Sequence, residues 1–407
     1  MTGKGPVLIA GGGIGGLSLA IGLAHRGIPC RILERRTELV EAGAGIQLGP
    51  NAVGVLQRLG VASRLEPLVG KPQGIRVYQG RSGRLLTKLP LGSWIAERHG
   101  APYWVAHRAD LHTALLQTAQ SLAQIEIVTG SEVHSFEPTG GGLEVHSADG
   151  RVDSGTVLVG ADGIWSAIRR QLWPEAKLTY SGKTAARALV ETQRAPAPFR
   201  DAVTGVWLSP AGHIVHYPVR GSSESAVVVI LKEDWPGEGW GLPVDRLALL
   251  EKLHPFPGAL TSFLALAEDW RCWPLYDPAP LKRWTRGPVT LLGDAAHPVL
   301  PFLAQGGALA IEDAETLAAA LETWRSEPLT ALAHYERVRQ PRAVRMQQES
   351  RRNGQIYHLP QPASMARDLA LRAIPGQQIM ARYDWIYGWK PEVPAIARTP
   401  AGTARAQ

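Results

Sequence analysis

Short apolar runs alternate with helix-spaced apolar positions at the start of this 407-residue chain. Residues 7–10 are continuously apolar and predict a buried parallel strand. Residues 17–26 have helical spacing, Gly27 ends that helix, and 29–34 predict a second strand. A strand, a helix and a second strand in this order predict an α/β fold built around a parallel sheet.

A different pattern begins near residue 184, where short strands are separated by proline and glycine turns. Segments 206–209, 213–218 and 226–231 are the clearest strands, and 75–78 with 85–89 predict a hairpin. We expect a largely antiparallel sheet inserted into the first domain. The other predicted elements are helices over 52–59 (with Asn51 as N-cap), 109–122, 306–322 and 335–352, and strands over 125–128, 132–136, 143–146, 152–159 and 289–293.

The amino-acid composition excludes few functional classes of protein. Apolar residues make up 45% of the chain and charged residues 19%, as in ordinary globular proteins. The formal net charge of +7 suits anionic substrates and a phosphate-bearing cofactor, and also nucleic acid. The two cysteines, Cys30 and Cys272, have no metal-binding spacing and favour a reducing cytoplasm without a disulfide scaffold. No apolar run is long enough for a membrane span.

Glycines follow the first predicted strand with the spacing of a dinucleotide-binding turn. Gly11 allows a tight turn, Gly13 lets the backbone approach a pyrophosphate, and Gly16 allows close helix–strand packing. The helix that follows directs free N–H groups toward phosphates. Glu34 ends the second strand, where its carboxylate would accept hydrogen bonds from ribose hydroxyls and repel a 2′-phosphate. Both NAD and FAD satisfy this pattern.

Two later signatures decide between them. Gly160-Ala161-Asp162-Gly163 and Gly293-Asp294-Ala295-Ala296-His297-Pro298 each follow an apolar strand. With the first glycine set, and in this order, they resemble the p-hydroxybenzoate hydroxylase family of single-component FAD monooxygenases. The resemblance implies a Rossmann-like FAD-binding domain, an inserted substrate sheet and a C-terminal helical region. It favours FAD because Asp294 would bind the ribityl chain, which NAD lacks.

The resemblance also implies individual cofactor contacts. Asp162 would lie near the pyrophosphate, Arg108 would contact the cofactor, and Pro301 would line the flavin face. Ala304 replaces a glycine that the family often has, so the local turn is expected to differ. Asn51 is expected beside the isoalloxazine together with Gln47. The complete implied set is Gly11, Gly13, Ile14, Gly15, Gly16, Glu34, Arg35, Gln47, Arg108, Asp162, Asp294, Pro301, Ala304, Gly306 and Gly307.

The predicted strand around His213 supplies candidate catalytic residues. His213 and Tyr217 share one face with Val215, and His216 takes the other. The segment resembles that of the 3-hydroxybenzoate 6-hydroxylase, salicylate hydroxylase and 6-hydroxynicotinate 3-monooxygenase group. A neutral histidine would take a phenolic proton, and Tyr217 would bind substrate. The alternative is that both residues only pack inside the sheet. The opposite face is expected to meet solvent or a neighbouring chain.

The predicted activity is hydroxylation of a small hydroxylated aromatic acid with O2 and NADH or NADPH, through a flavin C4a-hydroperoxide. The substrate and the choice of reductant stay open. Alternatives are another flavoprotein of this fold acting on a larger phenol or heterocycle (oxidase, epoxidase or halogenase-like) and, less favoured, a nucleic-acid binder. Arginines 337–352 suggest the binder, but the interspersed acids and Pro341 favour a solvated helix or dimer face.

The domain organisation follows from these elements. We expect a discontinuous FAD-binding domain at 1–70, 100–180 and 280–340 and a substrate-binding domain at 71–99 and 181–279. Residues 341–407 form the predicted C-terminal helical region and tail. A homodimer is possible, and neither a nucleic-acid partner nor a metal is expected.

Overall fold

A computed structural model describes residues 5–39, 45–235 and 239–392. The strands of these residues are, in chain order, β1 Val7–Ala10, β2 Cys30–Glu34, β3 Gly45–Leu48, β4 Gly74–Gln79, β5 Leu85–Pro90, β6 Trp104–His107, β7 Ile125–Thr129, β8 Val133–Thr139, β9 Gly142–Ser147, β10 Val152–Gly155, β11 Val157–Gly160, β12 Tyr180–Glu191, β13 Thr204–Ser209, β14 Gly212–Val219, β15 Glu224–Lys232, β16 Leu242–Pro243, β17 Arg271–Tyr276, β18 Thr285–Arg286 and β19 Val289–Leu291.

Helices cover the sheets and form most of the C-terminal part. They are α1 Ile14–Ala24, α2 Pro50–Arg58, α3 Ala62–Leu65, α4 Gly92–His99, α5 Arg108–Gln120, α6 Ala167–Leu172, α7 Arg246–Lys252, α8 Gly258–Ala265, α9 Gly306–Thr323, α10 Pro328–Tyr357, α11 Ala363–Ala373, α12 Gly376–Ala381 and α13 Asp384–Tyr387. None of the described helices is long and apolar enough to cross a membrane.

The first sheet is the parallel sheet that the sequence predicts. Its order is β18-β19-β11-β1-β2-β7, and all pairings are parallel except that of β18 with β19. Helix α1 is almost entirely buried, since it packs against α9: a Cβ placed on Gly22 would lie 3.1 Å from the Cβ of Ala318. The α/β fold with a Rossmann-like domain is therefore confirmed.

The second large sheet is the predicted, largely antiparallel one. Its order is β16-β17-β12-β15-β14-β13-β4-β5, and only the β13–β4 pair is parallel. One face of this sheet includes Ile214 and His216. Ile214 packs in a buried cluster with residues of α7 and α8, and the ring of His216 contacts two phenylalanine rings of the same cluster. The expectation that this face meets solvent or a neighbouring chain is therefore wrong. The opposite face, with His213 and Tyr217, looks toward α9 and α10.

Several local expectations need correction. Helix α2 begins at Pro50, after Gly49 as N-cap, so Asn51 lies inside the helix and its side chain has other partners. The strand expected over 152–159 is two strands, β10 and β11. A small three-stranded antiparallel sheet, β10-β9-β8, uses the first of them.

Helix α10 runs without interruption through Pro341, which does not break it. The domain boundary placed at 340/341 lies inside this helix. Its arginines form a solvated face only in part: Arg337, Arg345 and Arg352 are exposed, whereas Arg339 is 0% exposed and Arg351 bonds Asp277 at 2.8 Å. Proline removes one helical hydrogen bond and crowds the preceding turn, so interactions elsewhere must hold the helix together.

Replacing Pro341 with alanine tests this local strain. Pro341→Ala restores the missing N–H in the interior of α10, so we expect the free energy of unfolding to rise by about 1–3 kcal/mol. Pro328→Ala is the matched control, because proline at the first helical position carries little penalty. Thermal unfolding of both variants measures the effect. A lower midpoint for Pro341→Ala would show that the ring is favourable where it stands.

Candidate functional site

The glycine turn after β1 is crowded on two sides and open on a third. Gly11 has φ +106°, and a Cβ there would lie 2.5 Å from the Ala161 carbonyl oxygen. A Cβ on Gly16 would lie 2.0 Å from the Gly11 oxygen, whereas one on Gly13 would meet nothing within 4 Å. The open side at Gly13 therefore faces the start of α1, where backbone N–H groups are available to phosphate.

Glu34 is fixed beside this turn. Its Oε2 accepts from the Gly12 N–H at 2.7 Å and its Oε1 accepts from the Arg36 N–H at 2.9 Å. A carboxylate oxygen accepts more than one hydrogen bond, so both oxygens retain capacity for ribose hydroxyls. From the other side, His112 of α5 contacts the Gly12 carbonyl through Nε2 at 2.8 Å. The turn is thus held by β2 and α5 together.

The second motif combines a helix cap with an unpaired acceptor. Ser166 is the N-cap of α6, and Asp162 Oδ2 also accepts from the Ala167 N–H at 2.7 Å. The other oxygen, Oδ1, is buried and has no hydrogen-bond partner among the described residues. Burial raises the pKa of Asp162. Asp162 therefore helps to cap α6 and still has an acceptor to offer.

Arg169 joins the second motif to the third. Its guanidinium donates to the Ala295 carbonyl at 3.0 Å and the Asp294 carbonyl at 3.3 Å, and also bonds the Ile164 carbonyl. The side chain of Asp294 is left exposed in an otherwise buried segment. A Cβ on Gly306 would lie 4.0 Å from Asp294 Oδ1. The carboxylate thus lies beside the N-terminus of α9.

A buried ionic cluster supports this arrangement from behind. Asp313 Oδ2 contacts His297 Nε2 at 2.5 Å and accepts from the Gly293 N–H at 3.2 Å, while Oδ1 accepts from Arg339 at 2.6 Å. Burial alone would raise the pKa of Asp313, but His297 and Arg339 outweigh it and lower this pKa to about 2. Asp313 therefore stays ionised and holds the Asp294 turn. His297 is buried behind the turn and supports it through Asp313.

The adjacent carboxylate, Glu312, extends the cluster. It lies 2.7 Å from Arg339 and 2.6 Å from Arg342. It also accepts from Asn51 at 2.6 Å, and Asn51 in turn donates to Gln305 at 3.0 Å. The cluster thus ties α2 and α10 to the first turns of α9.

The proline loop between the third motif and α9 is clamped by α10. Gln347 donates to the Pro298 carbonyl at 2.9 Å, Ser350 to Leu300 at 2.6 Å, and Asn353 to Phe302 at 2.6 Å. Pro301 begins a short 3₁₀ turn in this loop and is partly exposed. These bonds present the loop edge toward the substrate sheet, since Val299 and Leu303 pack in the same cluster as Tyr217.

Ala304 keeps the conformation that a glycine would supply. Its φ is 53° and its ψ 39°, in the left-handed region. The expectation that alanine changes this turn is therefore wrong, and the substitution instead introduces strain of about 1–2 kcal/mol.

Strand β3 bridges the substrate sheet and α9. The Tyr217 hydroxyl donates to the Gly45 carbonyl at 3.0 Å, and a Cβ on Gly307 would lie 2.5 Å from Ile46 Cδ1. The next residue, Gln47, accepts a hydrogen bond from the Tyr103 hydroxyl. The structure thus brings Tyr217, Gln47 and Gly307 to one cleft.

The sheet face that lines the cleft carries three polar side chains, those of Arg187, His213 and Tyr217, among aliphatic ones. His213, Val215 and Tyr217 pair in register with Ile230, Val228 and Ala226, and these with Ala185, Arg187 and Leu189. Directly paired residues point to the same face, so Arg187 shares a row with Val215 and Val228. Interactions of Arg187 with Tyr217 and Arg108 place all three in one region. The cleft is apolar with a cationic patch.

Comparisons with known proteins agree with this geometry. A family model described as an FAD binding domain matches residues 4–350. The chain belongs to this family. It is 34% identical over 387 residues to 3-hydroxybenzoate 6-hydroxylase of Polaromonas naphthalenivorans, covering 94% of this chain and 96% of that protein. It is 36% identical over 386 residues to 3-amino-4-hydroxybenzoate 2-monooxygenase of Streptomyces platensis, covering 94% and 96%.

A solved structure of an FAD-bound protein has the same fold. HpxO of Klebsiella pneumoniae, complexed with FAD and uric acid, superposes with a TM-score of 0.83 at 26% identity, covering 94% of this chain and 96% of that chain. The resemblance to FAD-dependent aromatic hydroxylases is confirmed, and FAD is the cofactor. NAD(P)H is the reductant typical of these hydroxylases.

The residues present fit FAD. Open space at Gly13 suits a pyrophosphate, the orphaned Asp162 Oδ1 and the exposed Asp294 suit polyol or ribose hydroxyls, and α9 presents N–H groups beside Asp294. Ile14 begins α1, and Gly15 is packed under Leu292, so both shape the turn. Individual contacts with the cofactor remain predictions, including those of Arg35, exposed after β2, and Arg108, at the start of α5.

Sequence reasoning missed three contributors to the site. Arg187 had a signal, because it is the one charged residue in the apolar run 185–190. Arg169 follows the second motif by six residues and has no role in the sequence analysis, although it joins that motif to the third. The residues that clamp the proline loop recur every three positions along α10, a helical spacing that becomes meaningful only once the partner loop is known.

Two alanine substitutions separate cofactor contact from packing. Gly13→Ala adds a methyl group to open space at an ordinary backbone φ of −78°, so stability without FAD should not change. The methyl group would obstruct the pyrophosphate, so we expect the Kd for FAD to rise at least about tenfold, or ~1.4 kcal/mol. Gly16→Ala collides with backbone and should destabilise the protein by about 3 kcal/mol or more.

Thermal unfolding and fluorescence titration with FAD distinguish the two effects. Unchanged FAD affinity in Gly13→Ala would place the pyrophosphate elsewhere.

Proposed function

We propose that this enzyme is an FAD-dependent monooxygenase that hydroxylates a small hydroxylated aromatic acid with NAD(P)H and O2. One observation carries the proposal: Arg187, His213 and Tyr217 share the buried sheet face opposite the proline loop. They offer a cation for a carboxylate, an acceptor for a phenolic proton and a hydroxyl. Relatives that act on hydroxybenzoate and amino-hydroxybenzoate support the same substrate class.

Arg187 is suited to a carboxylate. Its Nε is buried without a hydrogen-bond partner among the described residues, and its guanidinium lies 5.2 Å from the ring centre of Trp273. Burial lowers the pKa of Arg187, and Arg108 lowers it further, although it remains a cation at neutral pH. A half-buried cation whose Nε lacks a partner favours an anionic ligand, and a planar guanidinium matches carboxylate geometry.

His213 is suited to accept a proton. Burial is the main reason that its pKa lies well below the ordinary value, so the ring is neutral at pH 7. Tyr217 has the opposite behaviour, since burial raises its pKa to about 12 and keeps it protonated. Because the Tyr217 hydroxyl already donates to Gly45, its oxygen remains available as an acceptor.

The spacing of these groups bears on the substrate. His213 lies two residues along the strands from the row that contains Arg187, and Arg187 lies two strands across the sheet, on β12. The offsets of about 7 Å along the strands and about 10 Å across them place the two Cα atoms on the order of 12 Å apart, a gap that the two side chains and a substrate between them would bridge. A ring with its hydroxyl meta or para to the carboxylate would span both groups. An ortho hydroxyl would lie beside the carboxylate, so we favour a substrate of the 3- or 4-hydroxybenzoate type over salicylate.

The chemistry divides between cofactor and protein. FAD, when bound and reduced by NAD(P)H, would activate O2, and O2 would supply the oxygen atom that is transferred. Arg187 and Tyr217 orient the ring, and His213 removes the phenolic proton, which makes the ring more nucleophilic. The clamped loop and the aliphatic side chains around it exclude water from the cleft.

The proposal extends to the location, the assembly and the domain organisation of the enzyme. A cytoplasmic location agrees with Cys30 and Cys272 being buried and unpaired. A homodimer agrees with the exposure of Met365 and Leu369, one turn apart on α11. The division into an FAD-binding and a substrate-binding domain agrees with the two large sheets, and α10 belongs to both the site and the C-terminal region.

Arg187→Gln tests carboxylate recognition. We expect the Kd for 3-hydroxybenzoate to rise about 10- to 100-fold, the usual worth of a hydrogen bond to a charged group. The Kd for phenol, which has no carboxylate, should stay unchanged. Arg271→Gln is the matched control, since Arg271 pairs with Arg187 in register but is exposed. Titration of the FAD absorbance measures binding, and an equal effect on both ligands would contradict the assignment.

His213→Ala tests the base. Hydroxylation should slow about 100-fold or more, whereas reduction of FAD by NAD(P)H should be nearly unchanged. Stopped-flow reduction and product analysis separate the two steps. The exposed His134→Ala serves as control. Equal product formation in variant and parent over about pH 6 to 9, a range that begins just below the ordinary histidine pKa, would remove His213 as the base.

A further inference from the structure

His213 is hydrogen-bonded to a second histidine on the side away from the cleft. Its Nδ1 lies 2.9 Å from Nε2 of His358, the C-cap residue of α10. His213 is 2% exposed, whereas His358 is half-buried and the following Pro360 is exposed. The two imidazoles therefore form a continuous hydrogen-bonded connection from the cleft to the protein surface.

The surroundings of the pair are apolar and cationic. The rings of Tyr357 and Phe302 lie 5.1 and 5.6 Å from that of His213. Lys183 of β12 faces both histidines, and Arg367 of α11, which is bonded to Asp368, faces His358. In the described part of the chain, no carboxylate hydrogen-bonds to either imidazole. The environment therefore disfavours a lasting positive charge on the pair.

This environment requires that His213 pass on any proton that it receives. Burial keeps the pKa of His213 well below its ordinary value and, with Lys183 and Arg367, lowers that of His358 to about 4. A base this weak cannot retain a phenolic proton at neutral pH. The proton must therefore leave His213 for solvent. His213 itself is 2% exposed, with the rings of Tyr357 and Phe302 packed against it, so its hydrogen-bonded connection toward the surface is His358.

We propose that His358 is a relay residue that carries the proton between His213 and solvent. The inference rests on the proposed function, in which His213 receives the phenolic proton. His358 does not touch the substrate and acts only through His213. The C-terminal end of α10 thereby contributes to proton transfer as well as to the support of the loop.

The transfer balances without any electron change. The substrate O–H bond breaks as its proton binds His213 Nε2, and the proton on His213 Nδ1 passes to His358 Nε2. The proton on His358 Nδ1 then passes to water. Both rings stay neutral overall and exchange tautomers. The reverse transfer, which reprotonates the hydroxylated product, restores the starting tautomers.

The probe for this relay is 3-hydroxy-4-nitrobenzoate, whose phenolate is coloured. Oxidised, FAD-loaded enzyme without NAD(P)H is mixed with the probe in a buffer below the pKa of its nitrophenol group, so the probe starts as the phenol and no catalysis occurs. Phenolate formation on the enzyme is then followed by stopped-flow absorbance. We expect His358→Gln to slow phenolate formation at least about tenfold, or ~1.4 kcal/mol of barrier. Its Kd for the probe and for FAD should stay unchanged, because glutamine still hydrogen-bonds to His213 without relaying protons.

A second variant and a control complete the test. Free imidazole should restore the rate in His358→Ala, since it occupies the half-buried position that the side chain leaves. His334→Gln, on the same helix and also half-buried, should behave like the parent. A parent-like rate in His358→Gln, or a slow rate in His358→Ala that imidazole does not restore, overturns the relay.

The His213→Gln variant separates the two hypotheses. Loss of phenolate in His213→Gln together with a normal rate in His358→Gln refutes the relay and leaves the proposed function intact. Phenolate formation that persists in His213→Gln removes His213 as the base, and the relay fails with it. Failure of the parent enzyme to bind the probe counts against the substrate class itself.

Discussion

The buried contact of Asp313 with Arg339 and His297 is the interaction on which the cofactor side of the site depends. It joins α9, α10 and the Asp294 turn at a point with no solvent access. Removing one member of such a cluster leaves an uncompensated buried charge, which costs about 3–5 kcal/mol. The cluster is therefore less a source of net stability than a device that permits only one relative position of these three segments.

That position determines where the cleft lies. Glu312 extends the cluster to Arg342, whose guanidinium also donates to the Trp385 carbonyl at 2.7 Å and the Ile386 carbonyl at 3.1 Å. The C-terminal segment is thereby anchored to the first turns of α9. Because α10 is fixed at its middle by these charges, its last turns reach the proline loop in register. The adenosine end of the cleft is organised separately, by Glu34 and His112 around the glycine turn.

The sequence predicts what depends on local pattern and misses what depends on assembly. Both large sheets, the glycine turn and α9 follow from periodicity and turn chemistry, and the shared face of His213 and Tyr217 follows from the strand period. The contact of His213 with His358 joins residues 145 positions apart, so no local pattern encodes it. The burial of Arg339 could not be predicted for the same reason. Its acidic partners lie on α9, and when these partners are not known, an arginine-rich helix is expected to be solvated.

Two violations of local rules show how far assembly overrides propensity. Ala304 occupies a left-handed conformation and Pro341 lies inside a helix, at local costs of about 1–2 and about 3 kcal/mol. Both lie on segments held at each side by the ionic cluster and the loop clamp, with Gln305 bonded to Asn51 just after Ala304. Strain next to a cofactor site persists only where surrounding contacts over-determine the backbone. The same contacts that impose these conformations also fix the proline loop against the sheet, so the strain is a consequence of positioning the cleft.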